Sequence, residues 1–367
     1  MLEFLYWLLI ALFCIQLIYW ILFLTGLTKK NSKPDAAVLP PVSIIVCAHD
    51  EEQNLRELIP LLLTQDHPDF EVIIVDDRSN DGTWDLLLEQ TALHENLKMV
   101  KVTHKPGHIP GKKFALTLGI KAATHDIVLL TDADCRPVSR SWASAMAGSF
   151  GPDIEIVTGF SPYLEKPGLL NLLIRFEALL TGVFYTGMAA IGAPYMGVGR
   201  NLAYRKKIFF EGKGFNTHLS TVGGDDDLFV NQHARKNNTM AALGASTLMQ
   251  SLPVNSLKEF LNQKIRHLAA GKKYRWQSRL QLAPLMISQS FFLPLNAIVA
   301  ITGNPLIAGI LTLVRWGLIT ATLHRFLMRS GAAFPLFLTP LADILFSIYY
   351  LAAAPVSLAS QKIVWKT

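Results

Sequence analysis

The chain has 367 residues, of which 51% are hydrophobic and only 17% charged, and its formal net charge is +6. A soluble domain carries about a quarter charged residues, so this composition, with a mean hydropathy of +0.31, points to segments that live in lipid. The excess positive charge borders apolar runs, at Lys29 and Lys30 and again at Lys272, Lys273, Arg275 and Arg279. That pattern suits anionic headgroups, and with no basic stripe interleaved with aromatics, nucleic acid is set aside as a partner. Cys14, Cys47 and Cys135 are odd in number and fit neither a disulfide framework nor a zinc site. The soluble part therefore reads as facing a reducing compartment.

Phe4–Leu27 is almost wholly apolar and uncharged, long enough to cross a hydrocarbon core of about 30 Å. A cleaved signal peptide needs a basic start, whereas Glu3 stands there, so residues 1–28 are expected to be a retained anchor. Lys29 and Lys30 place the following domain in the cytoplasm by the positive-inside rule. A polar linker, Lys29 to Pro41, leads to Val42–Cys47, a β-branched run expected as a strand buried on both faces. Glu51–Leu63 reads as a helix with Leu55, Leu58, Ile59 and Leu62 on one stripe. Strand Glu71–Val75, a helix from Asn80 to Leu88, strand Lys98–Val102, helix Phe114–Ala123 and strand Asp126–Leu130 follow. This alternation implies an α/β domain with a doubly wound, mostly parallel sheet, whose ligand site lies off the carboxyl ends of its strands. The domain is expected over 41–279.

Within it, Gly168–Met196 is apolar but interrupted by Arg175 and Glu177. It reads as a helix in the interface or packed on membrane segments, with plain core or a true span as alternatives. Residues 280–367 turn lipid-like again, with spans near Leu282–Ile301, Leu306–Leu323 and Phe334–Ala354. Arg315 in the second must snorkel or pair. Three spans would carry Lys362 and Lys366 outside, against the charge rule, so the topology of this end stays open.

Four clusters carry the chemistry. In Asp76-Asp77-Arg78-Ser79-Asn80-Asp81-Gly82, after a strand, the carboxylates suit base and ribose hydroxyls, the plainer alternative being an acidic turn and helix cap. Asp132-Ala133-Asp134 closes the strand DIVLL, and carboxylates at i and i+2 face one side of an extended chain. Together they suit Mg2+ or Mn2+ holding a diphosphate. Gly223-Gly224-Asp225-Asp226-Asp227, ahead of a helix expected over Leu228–Lys236, is either a charged helix cap or a source of a general base. Gln263, Arg266 and His267 share neighbouring helical positions; Arg266 near a departing diphosphate would stabilise its charge, although a basic helix on the membrane surface explains the nearby lysines. Lys112 and Lys113 read either as phosphate contacts or as a solvated pair, and Arg200 and Asn201 lie in a Gly-rich stretch where backbone can approach a ligand.

PVSIIVCAHDEEQNL, VIIVDDRSNDGT, GKKFAL, LLTDAD, GVGRNLAYRK, GGDDDLF and QKIRH, in this order, resemble the inverting family-2 glycosyltransferases of GT-A fold, in their membrane-bound branch. The resemblance covers about Pro41 to Lys273. It implies that Asp76 and Asp77 hold the uracil and ribose with the Ala48–Glu51 loop. Asp132 would contact the nucleotide and Asp134 the metal. Apart from the resemblance, Lys112, Lys113, Asn201 and His267 are also counted as candidate donor-binding residues. The acidic pair becomes Asp225-Asp226, with Asp226 as base and Asp227 as the alternative, and Gln263 and Arg266 fit the family's Q-x-x-R-W. Two departures stand out: His267 replaces the tryptophan, and Asp50 stands where asparagine is usual.

The expected activity is transfer of a sugar from a nucleotide donor, UDP-linked, to a membrane lipid or lipid-linked acceptor. The expected location is a bacterial inner membrane with the catalytic domain in the cytoplasm. A processive polysaccharide synthase is the first rival, an inactive nucleotide-binding membrane scaffold the second and a nucleotidyltransferase the third.

Overall fold

The computed structural model describes residues 2–28, 39–219 and 221–359. The expected linker, with Lys29 and Lys30, falls largely outside the described residues, as do Lys362 and Lys366. In chain order the helices are α1 (Leu2–Gly26), α2 (Glu52–Leu63), α3 (Thr83–Leu93), α4 (Gly111–Ala122), α5 (Trp142–Ala147) and α6 (Leu169–Ala190). After these come α7 (Lys206–Glu211), α8 (Asp227–His233), α9 (Leu257–Gly271), α10 (Trp276–Thr302), α11 (Pro305–Ser330) and α12 (Thr339–Ala359). The strands are β1 (Val42–Ala48), β2 (Phe70–Asp76), β3 (Leu97–Lys101), β4 (Ile127–Asp132), β5 (Cys135–Pro137), β6 (Ile156–Gly159), β7 (Leu202–Arg205), β8 (Thr239–Ala242) and β9 (Met249–Ser251). The chain divides into two compact units, one of Met1–Lys30, Glu165–Ala193 and Val254–Ile363, the other of Asn31–Leu164, Pro194–Pro253 and Val364–Thr367.

The second unit is the α/β body. Its seven-stranded sheet runs β3-β2-β1-β4-β7-β6-β8. β1 pairs parallel with both β2 and β4, β2 with β3 and β6 with β8. β7 alone runs against its neighbours. The apolar strand runs are explained by burial on both sides: Val42, Ile44, Val46 and Ala48 join one core cluster, while Ile45 faces the other. Each of these Val and Ile side chains contributes about 1.5–3 kcal/mol on burial. Strand order reverses between β1 and β4, the crevice in which open α/β sheets bind ligands. The register sets Ala48 opposite Asp76 and Cys47 opposite Asp132, so the expected donor-binding positions end level with one another.

Several element boundaries differ from expectation, as at α8, which ends at His233 rather than Lys236, and two of them border the acidic turn. α3 begins at Thr83 rather than Asn80, because the Asp81 side chain accepts from the Thr83 amide at 3.0 Å and holds 76–82 as a loop. α4 starts at Gly111, where a Cβ would stand 2.3 Å from Asp77 Oδ2; only glycine lets that helix reach so close to the acidic turn.

The first unit is helical. Leu2–Gly26, Leu169–Ala190, Trp276–Thr302, Pro305–Ser330 and Leu336–Ala353 are each long and apolar enough to cross a membrane, and the chain reads as a membrane protein. α6 packs on α1, α11 and α12, with a length and apolarity that count it among the five. Arg315 does not snorkel. It is 1% exposed, and its guanidinium meets Asp343 in a forked pair, with Nη2 donating to Oδ1 at 2.9 Å. Gln16, Gln289 and Trp316 complete the network around the pair.

Candidate active site

Two loops at the carboxyl edge of β1 and β2 are latched to each other. The Asp77 amide donates to the Ala48 carbonyl at 2.7 Å, and His49 Nδ1 donates to the Asp77 carbonyl at 2.6 Å. Asp50 accepts from the Asn80 amide at 2.6 Å while its own amide donates to Ser79 Oγ at 3.0 Å. Asp50 has φ of 55°, a left-handed conformation that Asp and Asn tolerate best among residues with a side chain. The position therefore accepts either residue, which accounts for the departure seen in the sequence. The Glu51 amide donates to Thr83 Oγ1 at 3.0 Å, and Glu51 Oε2 accepts from Asn54 at 2.6 Å. Within this frame Asp76 Oδ1 accepts from the Ser79 amide, whereas Asp76 Oδ2 is buried without a hydrogen-bond partner. A buried carboxylate oxygen left unmet is unfavourable, so Asp76 keeps acceptor capacity that the fold does not use. Asp77 Oδ1 is occupied by Arg78 Nε at 2.8 Å.

The second wall is acidic and carries its own counter-ion. Lys112 Nζ, on the first turn of α4, lies 2.7 Å from Asp132 Oδ1 and 3.5 Å from Asp225 Oδ2. Burial alone would lower that ammonium's pKa, but the facing charges of Asp132, Asp225 and Asp226 outweigh it and raise it well above its ordinary value. These four residues line one pocket with Cys47 and Gly199. Burial pushes the Asp134 carboxyl up, and Asp132 adds to the rise while Arg200 and Lys112 oppose it. The Asp134 carbonyl is fixed by the Leu252 amide at 3.2 Å, next to the antiparallel pair of β5 and β9.

Asp226 caps α8. Its Oδ1 accepts from the Asp227 amide and its Oδ2 from the Gly199 amide, both at 2.7 Å. Burial, then the neighbouring Asp225, raises its pKa, and Lys112 and the two amides only partly offset this. Asp227 is buried and accepts from the Leu228 amide at 2.7 Å, a contact that belongs to the helix start.

Two residues grouped by sequence with the donor are employed elsewhere. Lys113 is 1% exposed, and its ammonium donates to the carbonyls of His218 at 2.5 Å and Thr221 at 2.8 Å, tying down the segment ahead of the acidic run. Asn201 is fully buried, donating to the carbonyls of Phe160 and Thr247 and accepting from Trp142 Nε1. It is a core fastener because its amide group is consumed inside the fold. Gln263, Arg266 and His267 lie on α9, in the helical unit. There the buried Lys264 ammonium pairs with Glu177 of α6. The sequence marks the stretch holding Gly199 and Arg200 only as one where backbone can approach a ligand, and assigns no role to the Gly199 amide or the Arg200 side chain. The signal for both is the run Gly199-Arg200-Asn201, a 3-10 turn packed on β4.

Among the described residues no group of three or more His, Cys, Asp or Glu is arranged to hold a metal ion. Mg2+ and Mn2+ in nucleotide sites need less: one or two carboxylates, with substrate phosphates and water completing the shell. Asp132 and Asp134 supply hard oxygen donors of that kind, side by side at the end of β4. The donor set fits such a cation.

The sequence pattern of "Glycosyl transferase family 2" matches residues 43–169. The probable glycosyltransferase YdaM of Bacillus subtilis is 34% identical over 101 residues, 27% of this chain and 24% of that protein. Glycosyltransferase AglE of Haloferax volcanii is 24% identical over 125 residues, 34% of this chain and 40% of that protein. Poly-beta-1,6-N-acetyl-D-glucosamine synthase of Staphylococcus aureus is 28% identical over 168 residues, 44% of this chain and 39% of that protein. The matches thus span less than half of these curated relatives. Among solved structures, the mannosyltransferase PcManGT from Pyrobaculum calidifontis, in complex with GDP-Man and Mn2+, has a TM-score of 0.67 and 20% identity, covering 99% of this chain and 100% of that one. At that identity the likeness is one of fold. Residues 43–169 thus resemble a glycosyl transferase family 2 domain, and the fold is GT-A-like.

Proposed function

We propose that the protein is an inverting, metal-dependent glycosyltransferase that moves a sugar from a nucleoside diphosphate donor, UDP-linked, to a membrane lipid or lipid-linked acceptor. In this reading residues 41–279 act as the catalytic domain at the cytoplasmic face of a bacterial inner membrane, and 1–28 and 280–367 as membrane segments. The observation that carries it is a pocket lined together by Asp226, Lys112, Asp132 and Asp225. A base with a raised pKa there stands beside groups suited to a diphosphate.

Asp76 Oδ2 accepts an N–H of the base, and the Ala48–Glu51 loop with Asp77 seats the ribose. Asp226 takes the proton of the acceptor hydroxyl; that oxygen attacks the anomeric carbon as the bond to the diphosphate oxygen breaks, and the pair of electrons leaves with the diphosphate. Attack from the face opposite the leaving group inverts the configuration. Lys112 stabilises the departing negative charge. Asp132 and Asp134 would hold Mg2+ or Mn2+, which when bound neutralises diphosphate charge. The lipid acceptor is supported by the five apolar helices on the same chain.

The test is turnover by the detergent-solubilised protein with UDP- and GDP-sugars, Mg2+ or Mn2+, and membrane lipid extract, following released nucleotide and product size. One sugar added to a lipid supports this reading. A long polymer would favour a processive synthase, the activity named for the Staphylococcus aureus relative. Tight nucleotide binding without turnover would leave an inactive scaffold.

A further inference from the structure

Arg200 sits between two immobilised neighbours. On one side the Gly199 amide is held by Asp226 at 2.7 Å; on the other Asn201 is bolted to Trp142, Phe160 and Thr247. The backbone therefore fixes where the arginine stem leaves the chain. Its guanidinium lies over the Tyr163 ring, 4.4 Å from the centroid, and Tyr163 is itself bridged to Ser251 of β9. This stacking spends the flat face of the group and leaves its N–H edge for hydrogen bonds.

That edge is not fully used. Arg200 Nη1 is buried and has no hydrogen-bond partner among the described residues. Asp134 and Asp132 lie near enough for their charges to act on the guanidinium. A buried, always-charged donor left unmet is unfavourable in isolation. Its position along the chain places it next to the residue that holds the proposed base, within the field of the proposed metal carboxylates.

We propose that Arg200 is a donor-contacting residue whose Nη1 takes an oxygen of the nucleotide sugar, either of the diphosphate or of a sugar hydroxyl. The inference rests on the glycosyltransferase reading. It adds a fixed, forked cation on the α/β unit to the role given to Lys112. Stacking on Tyr163 keeps the fork in one orientation, so the contact selects for geometry as well as charge.

The experiment measures equilibrium binding of UDP or GDP, whichever the turnover screen selects, and of its sugar conjugate, by full-length protein in detergent. Arg200→Met keeps much of the stem and removes the cation and its donors. It is expected to weaken binding of the sugar nucleotide at least tenfold. An equal loss for the free nucleoside diphosphate assigns the contact to the diphosphate, and a loss confined to the conjugate assigns it to the sugar. Affinities within about twofold of the unsubstituted protein for both ligands overturn the proposal, with Asp76→Ala as the positive control for lost nucleotide binding. Absence of nucleotide binding by the unsubstituted protein overturns the glycosyltransferase reading and this inference with it. Should Arg200→Met not fold, Arg200→Lys carries the test. It keeps the charge but loses the fork, and a donor KM raised at least threefold at unchanged Tm is expected, whereas an unchanged KM overturns the contact.

Discussion

The backbone amide of Gly199 donates to Asp226 Oδ2 at 2.7 Å. A Cβ at Gly199 would stand 3.3 Å from that same oxygen, so the approach is about as close as the chain allows. The bond holds one carboxylate oxygen of the proposed base in a fixed direction. Asp226→Asn is therefore expected to lower kcat by about 10²–10⁴-fold while nucleotide affinity stays within a few-fold. Asp227→Asn separates the two candidates: its carboxylate serves the start of α8, so Tm should fall before kcat does. Steady-state kinetics and thermal unfolding of the two variants check this, and the opposite pattern would transfer the role of base to Asp227.

Activity should carry a pH signature of the same carboxylate. Asp226 works only when deprotonated, and burial with Asp225 raises its pKa. The acid limb of kcat/KM is thus expected above the ordinary aspartate value of about 3.9, with rate lost as pH falls through it. Lys112 opposes that rise and Asp225 adds to it. Lys112→Met should move the limb to higher pH and Asp225→Asn to lower pH. Shifts in the same direction would disprove the assignment.

Adjacent lysines at the start of α4 should fail differently. Lys112 faces Asp132 and Asp225 in the pocket, whereas Lys113 ties the carbonyls of His218 and Thr221. Lys112→Met is expected to lower kcat/KM at least tenfold with little change in Tm. Lys113→Met leaves two carbonyls without their cationic donor and should cost about 1.5–3 kcal/mol of stability. Activity assays beside thermal melts of both variants give the comparison.

Removal of divalent metal should abolish transfer, and Mn2+ or Mg2+ should restore it. Asp134→Ala is expected to cost about 10²-fold or more and to raise the metal concentration needed for half-maximal rate. Unchanged activity of this variant in chelator would remove the metal from the proposal.

The reach of the sequence differed from element to element. The β1 run and the acid pair closing β4 were legible because burial on both faces forces a continuous apolar run, and the turn that follows is the first place charge can stand. The start of α3 was not, because the Asp81 side chain competes with the helix for the Thr83 amide, a choice that spacing does not encode. Lys113 and Asn201 were grouped with the donor since residue type alone does not say whether an ammonium or amide is spent on backbone carbonyls. Only the folded chain brings His218, Phe160 and Thr247 to them. For Arg315 the need for a partner was legible, but the partner, 28 residues away on another helix, was not.

That pair yields the last prediction. Arg315 and Asp343 are both fully buried, and Asp343 also accepts from Gln289 Nε2 at 2.9 Å and Trp316 Nε1 at 3.0 Å. Removing one partner leaves a charge stranded at membrane depth, with a cost of about 3–5 kcal/mol for breaking a buried pair. Replacing both by apolar residues removes the stranded charge along with the pair, although Gln16, Gln289 and Trp316 then lose partners of their own. Asp343→Leu and Arg315→Met should each shorten the half-life of the detergent-solubilised protein at elevated temperature. The double variant should be more stable than Asp343→Leu alone, because no cation then remains unpaired. If the double variant decays as fast as the sum of the single losses predicts, the two side chains are acting independently and the clasp between α11 and α12 is not what holds this part of the helical unit.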